Sequence, residues 1–397
     1  MSIDVVAEVN AANEGRRPEA LALKYEAMRG DPFAFFRGTA TLFARDWEEN
    51  APPELRDSPL TWVCGDAHLE NLGTYRAQGG LVVFELNDFD ETFIAPALYD
   101  LARLATSGVV WQEWAKRGSP PELIATLIGA YCSALALGKP LWIDRDTATG
   151  PIAALMQQVY ARGRTELLEK WTTLSGKHRT LTLGKRTLPI DDEQRRRAIA
   201  AVAAFGATTS DPPSRYDVLD VAWRLAGNGS LGLERYVVLV AGDGTPDGAR
   251  LMDVKFAAPS SLAGVSNAKL PPFGNDAERV VAGYRRLQCR TPYRLGAVVV
   301  DGRPFVVRAL QPSEDRIDVA AVKQSEVDDL TVTFGSLVGW AHLRAGGREG
   351  SAIADTLIAF AGDASWREPL TSYVLAAADR FREYWETWKE KAPPAPT

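Results

Sequence analysis

The spacing of hydrophobic residues changes from helical to alternating near residue 215 and returns to helical after Asp318. Between these points, five Val-, Leu- and Tyr-rich segments alternate or run apolar: DVAWRLAGNGS, RYVVLVAG, ARLMDVKFA, YRLGAVVVDG and RPFVVRALQ. Turn signals such as Asp301-Gly302 separate them, which is typical of β-hairpins. We therefore predict an α+β chain in which a small antiparallel β unit (215–315) is inserted between mostly helical parts (1–214 and 316–397).

The composition is that of a globular chain able to build its own core. The chain has 397 residues, of which 46% are hydrophobic and 24% charged, so a core needs no disulfide or structural metal. The net charge of -6 argues against a broad nucleic-acid-binding face. Cys64, Cys132 and Cys289 lack metal-ligand spacing, and no signal-peptide or membrane-spanning pattern occurs. We therefore expect a cytoplasmic protein without a membrane partner, whose oligomeric state the sequence does not define.

The first candidate site is the segment GDAHLEN, which follows a predicted buried strand, LTWVC. Asp66 and Asn71 lie five positions apart in this segment. Such a pair suits phosphoryl transfer, because the Asp accepts the proton of an attacking hydroxyl and the Asn amide oxygen binds magnesium. His68 has two interpretations: it polarises the acceptor, or it hydrogen-bonds to the backbone.

A cluster of acids, NDFDE, ends the next predicted strand, LVVFEL. Because the turn AQGG precedes this strand, we predict that it forms a hairpin with LTWVC. Asp88 then binds the same magnesium as Asn71, since this hard cation prefers oxygen ligands. Asp90 is either a second ligand or a partner of the ligands.

A glycine-rich loop lies between two of the predicted strands and contains Gly227, Asn228, Gly229, Ser230 and Gly232. A GxGxxG pattern alone is weak, and a dinucleotide-binding site needs a helix after the glycines. Here the strand-like segment RYVVLVAG follows. We therefore favour a loop that covers nucleotide phosphates with its backbone N–H groups over a hairpin turn without a ligand.

Lys255 lies on a predicted strand, with apolar neighbours at alternate positions. A buried lysine needs a partner, and we expect Glu278, in the predicted helix NDAERVV, to supply one. That pair would hold the amine against the α- and β-phosphates. The alternative is a lysine at a strand edge and a glutamate on a helix surface.

Together these segments resemble the protein-kinase-like fold, and most of all its aminoglycoside phosphotransferase branch. GDAHLEN resembles the catalytic loop of that branch, NDFDE its magnesium-binding segment, and Asp100-Leu101-Ala102 the start of a helix. His68 matches a His of that branch and favours a small-molecule acceptor. The resemblance implies a two-lobe fold with ATP and Mg²⁺ as cofactors, in which Arg308 and Leu310 belong to a segment that presents backbone groups to adenine.

The order of the segments is reversed relative to an ordinary kinase, because the glycine loop and Lys255 follow the catalytic loop. We interpret this order as a circular permutation, which is tolerable because chain ends lie on protein surfaces. The longer pattern from PFAFFRG to the late lysine also resembles a bacterial family of unknown function. Arg37 of PFAFFRG either holds a phosphate or pairs with a carboxylate.

We therefore predict an ATP- and Mg²⁺-dependent phosphotransferase that acts on a hydroxyl of an unknown, small-molecule acceptor. The alternatives are AMP transfer on the same fold, a non-catalytic nucleotide-binding module, and a metal-dependent phosphoesterase. The phosphoesterase interpretation uses the D-x-H spacing of Asp66 and His68, and His178 and His342 are the other histidines of the chain. The Pro-rich end, KAPPAPT, is predicted to be disordered.

Overall fold

Five helices open the chain in the computed structural model, which describes residues 3–266, 268 and 270–392. Helices α1 to α5 span Val5–Ala12, Pro18–Gly30, Pro32–Gly38, Ala40–Asn50 and Pro53–Arg56. Prolines stand at the start of α2 and α3, where a missing N–H costs nothing. Helix α2 ends at Gly30 and α3 begins at Pro32. Of the end predicted to be disordered, residues 393–397 lie outside the described residues.

Four strands follow the helices, and their pairing differs from the expected hairpin. Strands β1 to β4 span Leu60–Val63, Leu72–Arg76, Val82–Leu86 and Phe93–Pro96. β1 pairs with β4, whereas β3 pairs with β2 across the AQGG turn. The predicted pairing of LTWVC with LVVFEL is therefore wrong, because LGTYR forms a strand that sequence reasoning missed. GDAHLEN is the connection between β1 and β2.

The middle of the first half is helical, with short strands between the helices. Helices α6 and α7 span Leu98–Ala115 and Pro120–Ala136, as the pattern predicted. Strand β5 (Ile143–Asp144), helices α8 (Gly150–Ala161) and α9 (Arg164–Trp171), strands β6 (Thr172–Ser175), β7 (His178–Leu181) and β8 (Thr187–Leu188), and helix α10 (Asp192–Gly206) follow. Asp191 and Gln194 cap α10 reciprocally.

The five predicted strands of the β unit are confirmed, with one predicted helix between the third and the fourth. The elements are β9 (Val218–Arg224), β10 (Arg235–Val240), β11 (Arg250–Phe256), α11 (Asp276–Leu287), β12 (Leu295–Val300) and β13 (Arg303–Ala309). The sheet order is β12-β13-β11-β10-β9-β8, and every pairing is antiparallel. Helix α10 packs on one face of this sheet through Val202 and Phe205, so the sheet uses elements on the N-terminal side of residue 215.

The chain then returns to the helical part through β14 (Asp315–Arg316), which pairs with β2. Helices α12 to α14 span Val327–Ala345, Ala354–Gly362 and Arg367–Lys391. Together with α6 and α7 they surround the largest hydrophobic core, in which Trp366 and Trp388 are fully buried. The described residues form an α+β structure with antiparallel sheets, and none of their helices has the length and apolarity needed to cross a bilayer.

Candidate active site

One cavity of about 520 Å³ gathers segments that are far apart in the sequence. It is lined by residues of the β1–β2 connection, of the segment after β3, and of the glycine loop between β9 and β10. Ten of the residues singled out from the sequence line it: Arg37, Asp66, His68, Asn71, Asp88, Asp90, Gly227, Asn228, Gly229 and Ser230. The tertiary structure therefore brings the acidic segments and the glycine loop to one place.

Asp66 is held by a buried arginine that sequence reasoning missed. Arg103, on α6, is fully buried and donates from Nε to Asp66 Oδ1 over 2.7 Å. Burial raises the pKa of Asp66 to about 7, although Arg103 opposes this shift. The side chain keeps 19% of its surface exposed, and Oδ2 is not used by Arg103. A carboxylate with this pKa can exchange a proton near neutral pH.

His68 is a neutral imidazole whose orientation is fixed by the backbone. Burial lowers its pKa well below the usual value, and Arg37 and Arg103 add to this shift. The Glu70 N–H donates to His68 Nδ1 over 3.2 Å, so the ring proton lies on Nε2. Nε2 is 3.8 Å from Asp66 Oδ2. The backbone hydrogen bond agrees with the second of the two interpretations of this residue.

Asn71 and Asp88 meet at one end of the β2–β3 hairpin. Asn71 precedes β2, and the Asn87 N–H donates to the Asn71 carbonyl over 2.9 Å. Asn71 Nδ2 donates to the Asp66 carbonyl over 2.8 Å, so Oδ1 is the oxygen it has to offer a cation. Asp88 has 44% of its side chain exposed. An amide oxygen and an accessible carboxylate fit a magnesium ion that is completed by phosphates and water.

The described residues contain no group of three or more His, Cys, Asp or Glu side chains placed to hold a metal ion. The remaining histidines are used elsewhere. His342 lies 3.0 Å from the Tyr131 hydroxyl and 3.4 Å from Asp100 Oδ2, deep in the core. His178 lies on the exposed β6–β7 hairpin. The phosphoesterase interpretation therefore gains no further histidine near Asp66.

Lys255 pairs with the acidic segment and not with Glu278. It is buried on β11, forms an ion pair with Asp90, and lies 3.9 Å from Asp88 Oδ2. Burial and the Asp88 carboxylate raise the pKa of Asp90, which Lys255 opposes. Glu278 is exposed in the first turn of α11 and accepts from the Gly274 N–H over 2.9 Å. The expected Lys255–Glu278 pair is not formed, because the Glu278 carboxylate is bound to Gly274 and Asn275 at the start of α11.

Lys255 lines a second cavity of about 40 Å³, which shares Asp88 and Asp90 with the larger one. Arg308 also lines this small cavity and is bound to Glu314 over 3.1 Å. Asp253 lies on the same face of the sheet and pairs with Arg224 and Arg235 over 2.7 and 2.6 Å. Charged side chains therefore fill the sheet face next to the acidic segment.

The segment expected to face adenine is hydrogen-bonded to other parts of the β unit. The Leu310 N–H donates to the Leu251 carbonyl over 2.9 Å, and the Ala309 N–H donates to the Arg294 carbonyl over 3.2 Å. The Leu310 side chain packs in an apolar cluster with Leu168 and Trp171 of α9. The N–H groups of Ala309 and Leu310 therefore have partners within the protein, whereas we expected the segment with Arg308 and Leu310 to present backbone groups to adenine.

The glycine loop connects two antiparallel strands, as predicted, and is held from its carbonyl side. Gly227 and Gly232 have φ of +71° and +85°, a region that favours glycine. The Gly232 carbonyl accepts from the Arg17 N–H over 2.9 Å, and Asn228 Nδ2 donates to the Ala34 carbonyl over 2.6 Å. The strand that follows the loop excludes the dinucleotide-binding arrangement, which needs a helix there.

Three charged side chains, of which Asp100 and Arg279 are buried, hold these loops through direct contacts. Asp100, at the start of α6, accepts the N–H groups of Cys64 and Gly65 over 2.7 and 2.9 Å. Arg279, on α11, donates to the carbonyls of Asp90 and Thr92 over 2.9 and 2.7 Å. Arg37 forms an ion pair with Glu70, which is the carboxylate interpretation of this arginine. Charged residues inside apolar helices are the sequence signal for such roles.

Comparison with known proteins connects this chain to one family. A family model described as "Uncharacterized protein conserved in bacteria (DUF2252)" matches residues 16–391. No curated protein and no solved structure matched the chain. The matched span contains the acidic segments, the glycine loop, Lys255 and Arg103 that surround the cavities. The chain therefore belongs to this bacterial family.

Proposed function

We propose that this protein transfers the terminal phosphoryl group of Mg²⁺-ATP to a hydroxyl of a small-molecule acceptor. The observation that carries the proposal is the cavity in which Asp66, Asn71 and Asp88 meet the glycine loop, although Gly227 follows Asp66 by about 160 positions. A base, magnesium ligands and a phosphate-covering loop are the parts that phosphoryl transfer requires.

The proposed fold is a circularly permuted, protein-kinase-like fold. Two features of the β unit support it: the glycine loop connects the first two of its five strands, and Lys255 lies on the third. In protein kinases a glycine-rich loop covers the phosphates and the lysine lies on the third strand. In this chain Lys255 holds Asp90, so we propose that it positions the acidic segment beside the phosphates.

Asp66 acts as the general base in this proposal. Oδ2 takes the proton of the acceptor hydroxyl while Arg103 holds Oδ1. The hydroxyl oxygen forms a bond to the terminal phosphorus, the bond from that phosphorus to the bridging oxygen breaks, and ADP leaves with that oxygen. Neutral His68 keeps its Nε2–H beside Asp66 without adding a positive charge. Asn71 and Asp88 would hold magnesium, which neutralises charge on the phosphates.

The variant Asp66→Asn tests this function. The amide keeps an oxygen for Arg103 but removes the base, so we expect phosphoryl transfer to fall roughly 100- to 10,000-fold. Binding of Mg²⁺-ATP, measured by calorimetry, should stay within about threefold, since the amide has the size of the carboxylate. Turnover is measured as ADP release in the presence of a panel of small hydroxyl compounds. Unchanged turnover in a folded variant would remove Asp66 as the base.

Mass spectrometry of the modified acceptor separates the alternatives. Addition of a phosphoryl group supports the proposal, whereas addition of an AMP group would replace it by AMP transfer on the same fold. A protein that binds Mg²⁺-ATP but turns over no faster than Asp66→Asn would be a nucleotide-binding module. Thermal unfolding of both proteins provides the folding control.

A further inference from the structure

Two basic side chains from the N-terminal segment lie in the wall of the cavity that contains Asp66. The proposed function gives them no role. Lys24, on α2, is 1% exposed, and Arg16 lies in the connection between α1 and α2. Both line the cavity that contains Asp66 and the glycine loop. Their position is therefore inside the site, although they precede Asp66 by more than 40 positions.

Both cations reach the tip of the glycine loop. Lys24 Nζ donates to the Gly229 carbonyl over 3.2 Å and to Asn13 Oδ1 over 2.8 Å. Arg16 Nη1 donates to the carbonyls of Gly229 and Leu231 over 2.6 and 2.7 Å. Gly229 is thus a shared acceptor, which fixes the two positive charges beside the middle of the loop.

Neither cation has an anionic partner among the described residues. The acceptors of Lys24 and Arg16 are all neutral oxygens, and Arg16 Nε is buried without any partner. By contrast, Arg37 and Arg103, which lie nearby, pair with Glu70 and Asp66. A buried cation without a counter-ion is costly. An anionic group of a ligand bound at this wall would supply the missing counter-ion.

Burial lowers the pKa of Lys24 well below its usual value, and Arg16 adds to this shift, whereas Asp66 and Glu91 oppose it. The carboxylates that affect Lys24 are thus those of the catalytic and acidic segments across the same cavity. An anion bound between these residues would pair with Lys24 and Arg16 on one side of the cavity and with a magnesium ion at Asp88 on the other. A phosphate group has the charge and the acceptor oxygens for this position.

We propose that Arg16 and Lys24 bind the terminal phosphoryl group of the nucleotide, the group that is transferred. This inference rests on the proposed function. During transfer, negative charge is distributed over the three outer oxygens of that group while its bond to the bridging oxygen breaks and its bond to the acceptor oxygen forms. Two fixed cations beside these oxygens would stabilise that charge, and the proton of the acceptor still goes to Asp66.

Calorimetry with two nucleotides tests the inference. Wild type, Lys24→Met and Arg16→Met are titrated with Mg²⁺-ADP and with a non-hydrolysable Mg²⁺-ATP analogue that contains an imido group between its last two phosphates. Each methionine variant should lose roughly 10- to 100-fold in affinity for the analogue, because a charge-assisted hydrogen bond to a phosphate is lost. Affinity for Mg²⁺-ADP, which lacks the terminal group, should stay within about threefold of wild type.

Arg17→Met is the matched control for Arg16→Met. The Arg17 side chain pairs with Glu19 and donates to the Pro189 carbonyl over 2.8 Å, so its removal should change neither affinity. Lys24→Arg should recover part of the affinity for the analogue, since it restores the charge. Thermal unfolding of each variant provides the folding control.

The outcomes separate this inference from the proposed function. If wild type binds neither nucleotide, the proposed function fails and the inference fails with it. If wild type binds both, equal losses for ADP and the analogue in Lys24→Met, or no loss for either, would overturn the inference alone. If Arg16 and Lys24 instead bind a phosphate group of the acceptor, the variants should show a raised KM for the acceptor with unchanged nucleotide affinity. That result would also overturn the inference.

Discussion

At the scale of single residues, the environment of Asp66 decides what this carboxylate can do. Arg103 binds Oδ1, Asn71 binds the backbone carbonyl, and Oδ2 faces neutral His68. Burial is the largest cause of the raised pKa of Asp66. The same residue on an exposed loop would be ionised from about pH 4 upward.

We predict a rate that rises with pH and levels off above about 7. A general base works in its ionised form, and the pKa of Asp66 is about 7, so the ionised fraction falls about tenfold per pH unit below that value. The measurement is kcat/KM for phosphoryl transfer between pH 5 and 9. His68→Gln should keep the same inflection, because burial moves the pKa of His68 well below its usual value and away from this inflection. An inflection that disappears in this variant would assign the titration to His68.

At the scale of elements, the connection between β1 and β2 packs directly against the acidic segment. Gly65 has φ of +81°, and a Cβ atom there would collide with the Glu91 carbonyl. The Ser260 hydroxyl donates to the Glu91 carbonyl over 2.8 Å, and the Ser261 N–H donates to the Glu91 carboxylate Oε2 over 2.6 Å, so Glu91 is also held from the other side. The two loops can approach only because residue 65 has no side chain.

Gly65→Ala should therefore lower the free energy of unfolding by at least about 2 kcal/mol, from left-handed backbone strain and the collision together. Gly79→Ala is the matched control, because Gly79 lies in the exposed β2–β3 turn with no atom within 4 Å of an added Cβ. Urea unfolding of both variants measures the difference. Equal stability would contradict the close approach of the two loops.

Helix α11 supports the site through Arg279, whereas Glu278 contacts only the segment at the start of the helix. Arg279→Met removes the donor that the carbonyls of Asp90, Thr92 and Ala258 share, so we expect a loss of about 3 kcal/mol or more in the free energy of unfolding. Glu278→Gln should change the affinity for Mg²⁺-ATP by less than about twofold. Urea unfolding and calorimetry provide the two measurements. A large loss of nucleotide affinity in Glu278→Gln would support the Lys255–Glu278 pair expected from the sequence.

At the scale of the whole molecule, the large cavity takes its lining from residues between Ala12 and Arg316. A ligand in it therefore contacts the N-terminal helices, the acidic loops and the β unit together. Mg²⁺-ATP at about 100 times its Kd should add about 2.7 kcal/mol to the free energy of unfolding. Fluorescence and circular dichroism should follow one urea transition, with Mg²⁺ alone as the control. Stabilisation of one of two separate transitions would contradict a shared site.

Local patterns in the sequence predicted most of the elements. Alternation and turn residues identified the five strands β9 to β13, and the helical period identified α11, α6 and α7. These predictions succeeded because period and turn chemistry act over a few neighbouring residues. The pairing of β1 failed for the opposite reason. A strand pattern does not say which strand it will pair with, and the intervening strand LGTYR has too few apolar residues to stand out.

The candidate site, like the fold, has features that the sequence predicted and features that it did not. The sequence by itself determined which residue types are present: an Asp–Asn loop, an acidic segment, a glycine loop and a strand lysine, in a reversed order. Only the tertiary structure decided their partners, because ion pairs depend on which side chains reach one another across the fold. It joined Lys255 to Asp90, Asp66 to Arg103 and the loop carbonyls to Arg16 and Lys24. Burial, which sets the charge of these groups, is likewise a property of the folded chain.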